Sequence, residues 1–372
     1  MAYLDAGSSQ PLNPAGQRAF LQALTDGWAD PARLHAEGRK SHLLAEEAHQ
    51  TIAEVLTVRR DELHILSSGT TAVQSAVRGL NHARRRELSP VVVSSVEHSS
   101  VINATRSLDD AETTLLPVDS MGLITTTELE ALLTSTGARL VSVQSVNQET
   151  GIQQDTEAIA GLCQAHAVPY LVDAAQSAGR TEIPQHWDVL TASAYKWGGP
   201  AGIGLLVIRT GTPWHPSDAT HALGVSGQGF PNIPALMAAA ASLVQADQDQ
   251  RENRERLKEL NSRIRMVVNG IDGLDVVGHP TQRAAHLLTL NAPRIAGDVI
   301  VEHLDQLGIS VASGSACSSM SLDPSHVLLA MGIETHGNIR IGLTDSTTAA
   351  EVEQFLTALP RVLQAIGAPL GD

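Results

Sequence analysis

Four short segments carry residue types that can do chemistry on a carbonyl compound or hold an anion. In Ser193-Ala194-Tyr195-Lys196-Trp197-Gly198-Gly199-Pro200 a lysine lies among small residues and glycines. Most lysines are solvated surface groups, but a desolvated one has a lowered pKa and can form a Schiff base with a carbonyl. In Leu171-Val172-Asp173-Ala174-Ala175-Gln176-Ser177 an aspartate follows an apolar run. Such an aspartate often caps the next helix; it also lies at the strand end where open parallel sheets bind ligands. Ser67-Ser68-Gly69-Thr70-Thr71 joins an apolar run to a helical stretch. It reads as an ordinary capped helix or as a cup where backbone N–H groups, hydroxyls and the helix dipole receive phosphate. Val96-Glu97-His98-Ser99-Ser100 places a histidine at another strand end, as a structural hydrogen-bonding group or a catalyst.

The four segments fit one kind of site. A Schiff-base lysine, a carboxylate for a protonated pyridine nitrogen and a phosphate cup are what pyridoxal phosphate (PLP) needs to act as an electron sink. Two further segments belong with them: Ala312-Ser313-Gly314-Ser315-Ala316-Cys317-Ser318-Ser319, a small-residue loop around a thiol, and Asn338-Ile339-Arg340-Ile341. With Tyr3-Leu4-Asp5 at the start, these motifs make the chain resemble, from Tyr3 to about Leu343, the class V (fold-type I) PLP-dependent enzymes. Within them it is similar to the cysteine desulfurases of the NifS/IscS type.

The resemblance implies roles residue by residue. Lys196 would hold PLP covalently and move the substrate α-proton. Asp173 would pair with the pyridine nitrogen, His98 stack on the ring and assist proton transfer, and Gln176 bond near the phenolic oxygen. Thr70, Thr71, Ser193 and Tyr195 would hold the phosphate, with Gln148 near the cofactor. Arg340 would bind the substrate carboxylate, a role suited to its bidentate fork. Cys317 would be the nucleophile, because glycine and serine flank it and a thiolate attacks sulfur where a thiol does not. Cys163, on a helical face, reads as core filler instead. The implied activity is removal of sulfur from L-cysteine, giving L-alanine and a Cys317 persulfide that passes to an acceptor protein or thiol. The purpose of that sulfur, iron–sulfur cluster assembly among others, stays open, and the family implies a homodimer.

Several positions depart from the family pattern. Gly229-Phe230 stands where a Gly-Thr reaches the neighbouring subunit's phosphate site, Gln148 stands for an asparagine (with Asn147 beside it to compensate), and Tyr195 stands for a histidine. Asp30 puts a carboxylate where an amide meets substrate. Another class V reaction (a C–S or selenocysteine lyase, or an aminotransferase) keeps the same scaffold. A non-catalytic partner-binding subunit is the reading from a different class, and the retained Lys196, Asp173, His98 and Cys317 argue against it.

These residues need a scaffold, and the pattern predicts an α/β one. Short apolar runs at Leu63–Leu66, Val91–Val96, Leu140–Val146, Pro169–Val172 and Ile203–Ile208 alternate with helical stretches, as in βαβ units around a mostly parallel sheet buried on both faces. Near residue 231 the pattern changes to one long helix, about Ala235 to Val268, followed by a smaller α/β unit. We expect a large PLP-binding domain over residues 16–250 and a small C-terminal domain over 251–372, joined by residues 1–15. Of 372 residues 42% are hydrophobic, ample for both cores, and only 3% are aromatic, so Ala, Leu, Val and Ile must fill them. The net charge of -15 argues against a protein that coats nucleic acid by counterion release. No metal-ligand spacing occurs, and with no signal-like or membrane-length apolar stretch the expected setting is cytoplasmic.

Overall fold

The computed structural model describes residues 1–216, 231–313 and 324–367. Its main sheet has seven strands in the order Leu63–Leu66, Gly204–Ile208, Val189–Ser193, Tyr170–Asp173, Leu140–Ser142, Val91–Ser94 and Thr113–Leu116. All neighbours pair parallel except Gly204–Ile208, which runs antiparallel to both of its neighbours. The sheet is therefore mostly parallel, as expected. The edge strand Thr113–Leu116 escaped the sequence reading because it is short, half polar and partly exposed.

Successive strand residues face opposite sides, and the two faces feed separate cores. Val92, Val141, Val172, Leu190 and Leu205 pack with the helices Ala36–Val55, Thr156–Ala165 and the first part of Ile233–Val268. Val91, Val93, Leu140, Leu171, Val189 and Leu206 pack beneath Gly69–Ala83 and Ser99–Arg106. Cys163 is buried in the first of these cores, as its helical spacing predicted, and burial pushes its thiol up to about 12.

The long helix Ile233–Val268 begins with Asn232 capping Ala235 N–H and Pro234 in its first turn, a position where a missing N–H costs nothing. Its residues Ala235 to Ala246 lie in the core under the large sheet. Leu257, Ile264 and Val268 lie in another core built on a four-stranded antiparallel sheet, ordered Ala312–Ser313, Asn338–Gly342, Leu287–Asn291, Asp275–Val277. Ala2 and Leu4 enter that second core, where Ala2–Tyr3 pairs parallel with Ile309–Ser310. The fold is the large-plus-small α/β arrangement of fold type I. No helix among the described residues is long and apolar enough to cross a membrane.

Candidate active site

Strand direction gathers the chemistry. Leu63–Leu66, Val91–Ser94, Leu140–Ser142, Tyr170–Asp173 and Val189–Ser193 all present their carboxyl ends at one edge of the sheet. The segments following those ends supply Gly69 and Thr70, His98, Gln144 and Gln148, Asp173 and Gln176, and Ser193, Tyr195 and Lys196. All of them line one pocket.

Its polar groups are held in detail. The Lys196 ammonium donates to the Gly7 carbonyl at 2.6 Å and sits 5.1 Å from the centre of the Tyr195 ring. Asp173 Oδ1 accepts from Ala175 N–H at 3.0 Å and from Thr191 Oγ1 at 3.4 Å. Burial raises the Asp173 carboxyl above its ordinary value, with those hydrogen bonds and the Lys196 charge opposing. A cation placed beside it would restore the carboxylate, because an opposite charge favours the ionised form. His98 caps the helix Ser99–Arg106, its Nδ1 accepting from Ser100 N–H at 3.1 Å. Burial, then the charges of Lys196, His326 and Arg340, lower its pKa to about 4, so the imidazole is neutral at pH 7. Gln176 donates through Nε2 to the same Gly7 carbonyl at 2.9 Å.

The end of the pocket near Gly69 is shaped to receive a ligand. Ser68 Oγ accepts from Thr71 N–H at 3.0 Å and starts the helix Gly69–Ala83. A Cβ on Gly69 would stand 2.9 Å from Ser193 Cβ, so only glycine leaves this space open. Ser193 Oγ and Gln148 Oε1 are buried with no hydrogen-bond partner among the described residues. Buried polar atoms are nearly always paired, so two orphans lining one pocket mark where a polar ligand completes the site.

Three expected residues do not line the pocket. The Thr71 hydroxyl is 2.9 Å from Ser68 Oγ, and the side chain does not line the pocket. Asn147 is also absent from the lining: its amide donates to Val96 O and its Oδ1 accepts from Glu149 N–H, Thr150 N–H and Thr150 Oγ1. It braces its loop. Arg340 is the third: from the four-stranded sheet it donates through Nη1 to the main-chain oxygen of the lining residue Gln148 at 3.3 Å, and through Nη2 to Asp5 Oδ1 at 3.0 Å and Ser8 Oγ at 2.5 Å. Cys317 and Phe230 lie outside the described residues. The strand Ala312–Ser313 and the residues Ser325 and His326 flank the Cys317 segment. Ser325 Oγ donates to Glu149 Oε2 at 2.6 Å, and His326 Nε2 is 2.8 Å from Glu97 O.

Sequence reasoning missed two buried acids here. Glu97 accepts from Ser142 Oγ at 3.0 Å and His98 N–H at 3.3 Å; burial, with the Asp173 charge adding, pushes it up to about 8. Glu149 is likewise raised by burial. Each sits beside a residue that drew attention by type, and adjacency was the available signal.

Known proteins fit this geometry. The aminotransferase class-V family model matches residues 2–355. Cysteine desulfurase 2 of Trichormus variabilis is 32% identical over 384 residues, covering 98% of this chain and 94% of its own. Cysteine desulfurase IscS 1 of Archaeoglobus fulgidus is 32% identical over 380 residues, covering 98% of each. Among solved structures, a NifS-like protein superposes with a TM-score of 0.88 at 25% identity, covering 98% of this chain and 100% of its own. The apo cysteine desulfurase of Thermococcus onnurineus NA1 shares the fold, with a TM-score of 0.85 at 21% identity and coverage of 98% and 95%. With its lysine, aspartate and histidine at one sheet edge and the match running nearly end to end, the chain belongs to the class-V aminotransferase family of fold-type I PLP enzymes, as a relative of the NifS/IscS-type cysteine desulfurases.

Proposed function

We propose that this protein is a PLP-dependent cysteine desulfurase. The observation that carries the reading is the pocket that joins Lys196, Asp173, His98 and Gln176 to the orphaned Ser193 Oγ and Gln148 Oε1, in a chain nearly co-extensive with curated cysteine desulfurases. The pocket fits the cofactor's chemistry. A buried carboxylate suits a protonated ring nitrogen, an amine suits the aldehyde, and an unpartnered hydroxyl beside a helix N-terminus suits the phosphate. When bound, PLP supplies a sink for the electrons left on the substrate α-carbon.

The chain's own residues do the rest. Lys196 would hold the cofactor through Nζ and take the substrate α-proton at that atom. Asp173 would keep the ring nitrogen protonated, since a cation beside it favours its carboxylate. His98, neutral at pH 7, would pack against the bound ring without adding charge beside Lys196. Arg340 offers its guanidinium to the substrate carboxylate while Asp5, Ser8 and Gln148 O hold its orientation. The Cys317 thiolate attacks the substrate sulfur: an S–S bond forms, the carbon–sulfur bond breaks, and its electron pair stays with carbon, which takes up protons to become alanine. The persulfide left on Cys317 passes its outer sulfur to an acceptor protein or thiol. Fold-type I sites lie at two-fold interfaces, so the working form is a homodimer.

The test is alanine and persulfide production from L-cysteine by PLP-loaded wild type and Cys317→Ala. Equimolar alanine and persulfide in the wild type, both lost in the variant, supports the reading. Equal product from both proteins rejects Cys317 as the nucleophile, and no alanine from the wild type rejects the desulfurase assignment.

A further inference from the structure

Gln176 carries an unusual constraint. Its Nε2 donates to Gly7 O at 2.9 Å, so its Oε1 must face the other way, and there it meets His286 Nε2 at 3.4 Å. A carbonyl oxygen can only accept, which fixes the imidazole tautomer: the proton sits on Nε2. His286 is completely enclosed just ahead of the strand Leu287–Asn291, its own carbonyl accepting from Leu343 N–H at 2.8 Å. Burial, then the charges of Arg180 and Lys196, hold its pKa well below the ordinary value, which favours the neutral ring. Arg180 donates to Leu343 O at 2.7 Å and lies 3.9 Å from Asp345; Arg180 and Lys196 are the charges that act on the ring.

We propose that His286 is a positioning residue for the cofactor pocket: its Nε2–H holds the Gln176 amide oxygen, so that the amide nitrogen faces Gly7 O and Lys196 and keeps its second N–H for an acceptor in the pocket. Without that donor the amide can flip, since its two ends are nearly the same size. A flipped Gln176 would set two acceptors, Oε1 and Gly7 O, against each other and present no N–H to the ligand. The inference rests on the PLP reading of the same pocket.

The experiment titrates cofactor-free protein with PLP, following visible absorbance, for wild type, His286→Leu and His286→Gln, with thermal melts of each cofactor-free form. His286→Leu removes the donor, whereas His286→Gln offers an N–H. We expect His286→Leu to bind PLP about tenfold more weakly with a shifted absorption band, and His286→Gln to recover most of both. Gln176→Ala should make the His286→Leu effect disappear, because a positioning residue acts only through its partner. Wild-type affinity and an unshifted band in His286→Leu would overturn the proposal, as would equal losses in the Leu and Gln variants, which would reveal a packing role. A wild-type protein that takes up no PLP would overturn the cofactor reading and this role together.

Discussion

Glu97 should make the cofactor-free protein less stable as pH rises, and replacing it should remove that loss. The carboxyl is fully enclosed and, among the described residues, accepts from Ser142 Oγ and main-chain N–H groups, and burial with the Asp173 charge pushes it up to about 8 from the usual 4.5. Below pH 4.5 the folded and unfolded chains both hold the proton and nothing is lost. Between 4.5 and 8 the unfolded chain gives up a proton that the folded chain keeps, so stability falls by about 1.4 kcal/mol per pH unit. Above 8 both forms are ionised and the loss levels off at roughly 5 kcal/mol. Glu97→Gln has nearly the same shape and no charge. Its Oε1 can keep the His98 N–H bond and its Nε2 can donate to Ser142 Oγ, which accepts once its hydroxyl turns. The variant should therefore match wild type within about 1 kcal/mol at pH 5 and exceed it by about 4 kcal/mol at pH 8. Urea unfolding of both cofactor-free proteins at pH 5, 6, 7 and 8 reads this directly. A difference that stays constant across that range would refute the argument, because it would mean that Glu97 titrates alike in the two states.

Two further substitutions separate ligand binding from folding. Ser193→Ala deletes a buried hydroxyl that has no partner among the described residues. Melts of the cofactor-free protein should be unchanged or slightly higher, while PLP affinity falls about tenfold or more, the worth of one hydrogen bond to a charged group. Gly204→Ala should act on the fold itself. Its Cβ would lie 2.1 Å from the Ser68 carbonyl carbon and oxygen and 2.6 Å from Gly69 N. Backbone must move to admit it, so a stability loss of about 1–3 kcal/mol in chemical unfolding should appear even before PLP is added.

What the sequence revealed follows from where each signal is local. Lys196, Asp173, His98 and Gly69 were legible because each follows an apolar strand directly, and a parallel sheet delivers every such end to one edge. The side-chain partners that hold them were not. Lys196 bonds a carbonyl 189 residues away, Arg340 bonds an aspartate 335 away, and His286 meets Gln176 across 110. The carbonyl of Gly7 carries no residue-type signal at all, since every residue has one. Asn147 shows the opposite case: an amide of the right type at the right place, its oxygen taken up by its own loop and its nitrogen bonded to Val96 O. Residue type says what a side chain can do, and only the packing around it says whether that capacity is already committed.

The same long-range contacts tie the pocket, which lies at the large sheet's edge, to the smaller sheet. The main chain of residues 2–4 is anchored to the smaller sheet's core and pairs with Ile309–Ser310. The chain then crosses back, so that Gly7 O receives Lys196 and Gln176, Gln10 N–H donates to Tyr195 O, and Gln10 Nε2 donates to Lys196 O. From the other sheet, Arg340 holds Gln148 O, Thr289 Oγ1 holds Glu149 O at 2.7 Å, and His286 meets Gln176. Each hydrogen bond adds only about 1 kcal/mol net, too little for any one to fix the geometry. Acting together they tie three of the large sheet's carboxyl-end loops to residues whose places are set by the other core. The lysine, the glutamine and the arginine can reach their working positions only when both cores are formed and seated against each other, so the accuracy of the site is a property of that seating rather than of either sheet.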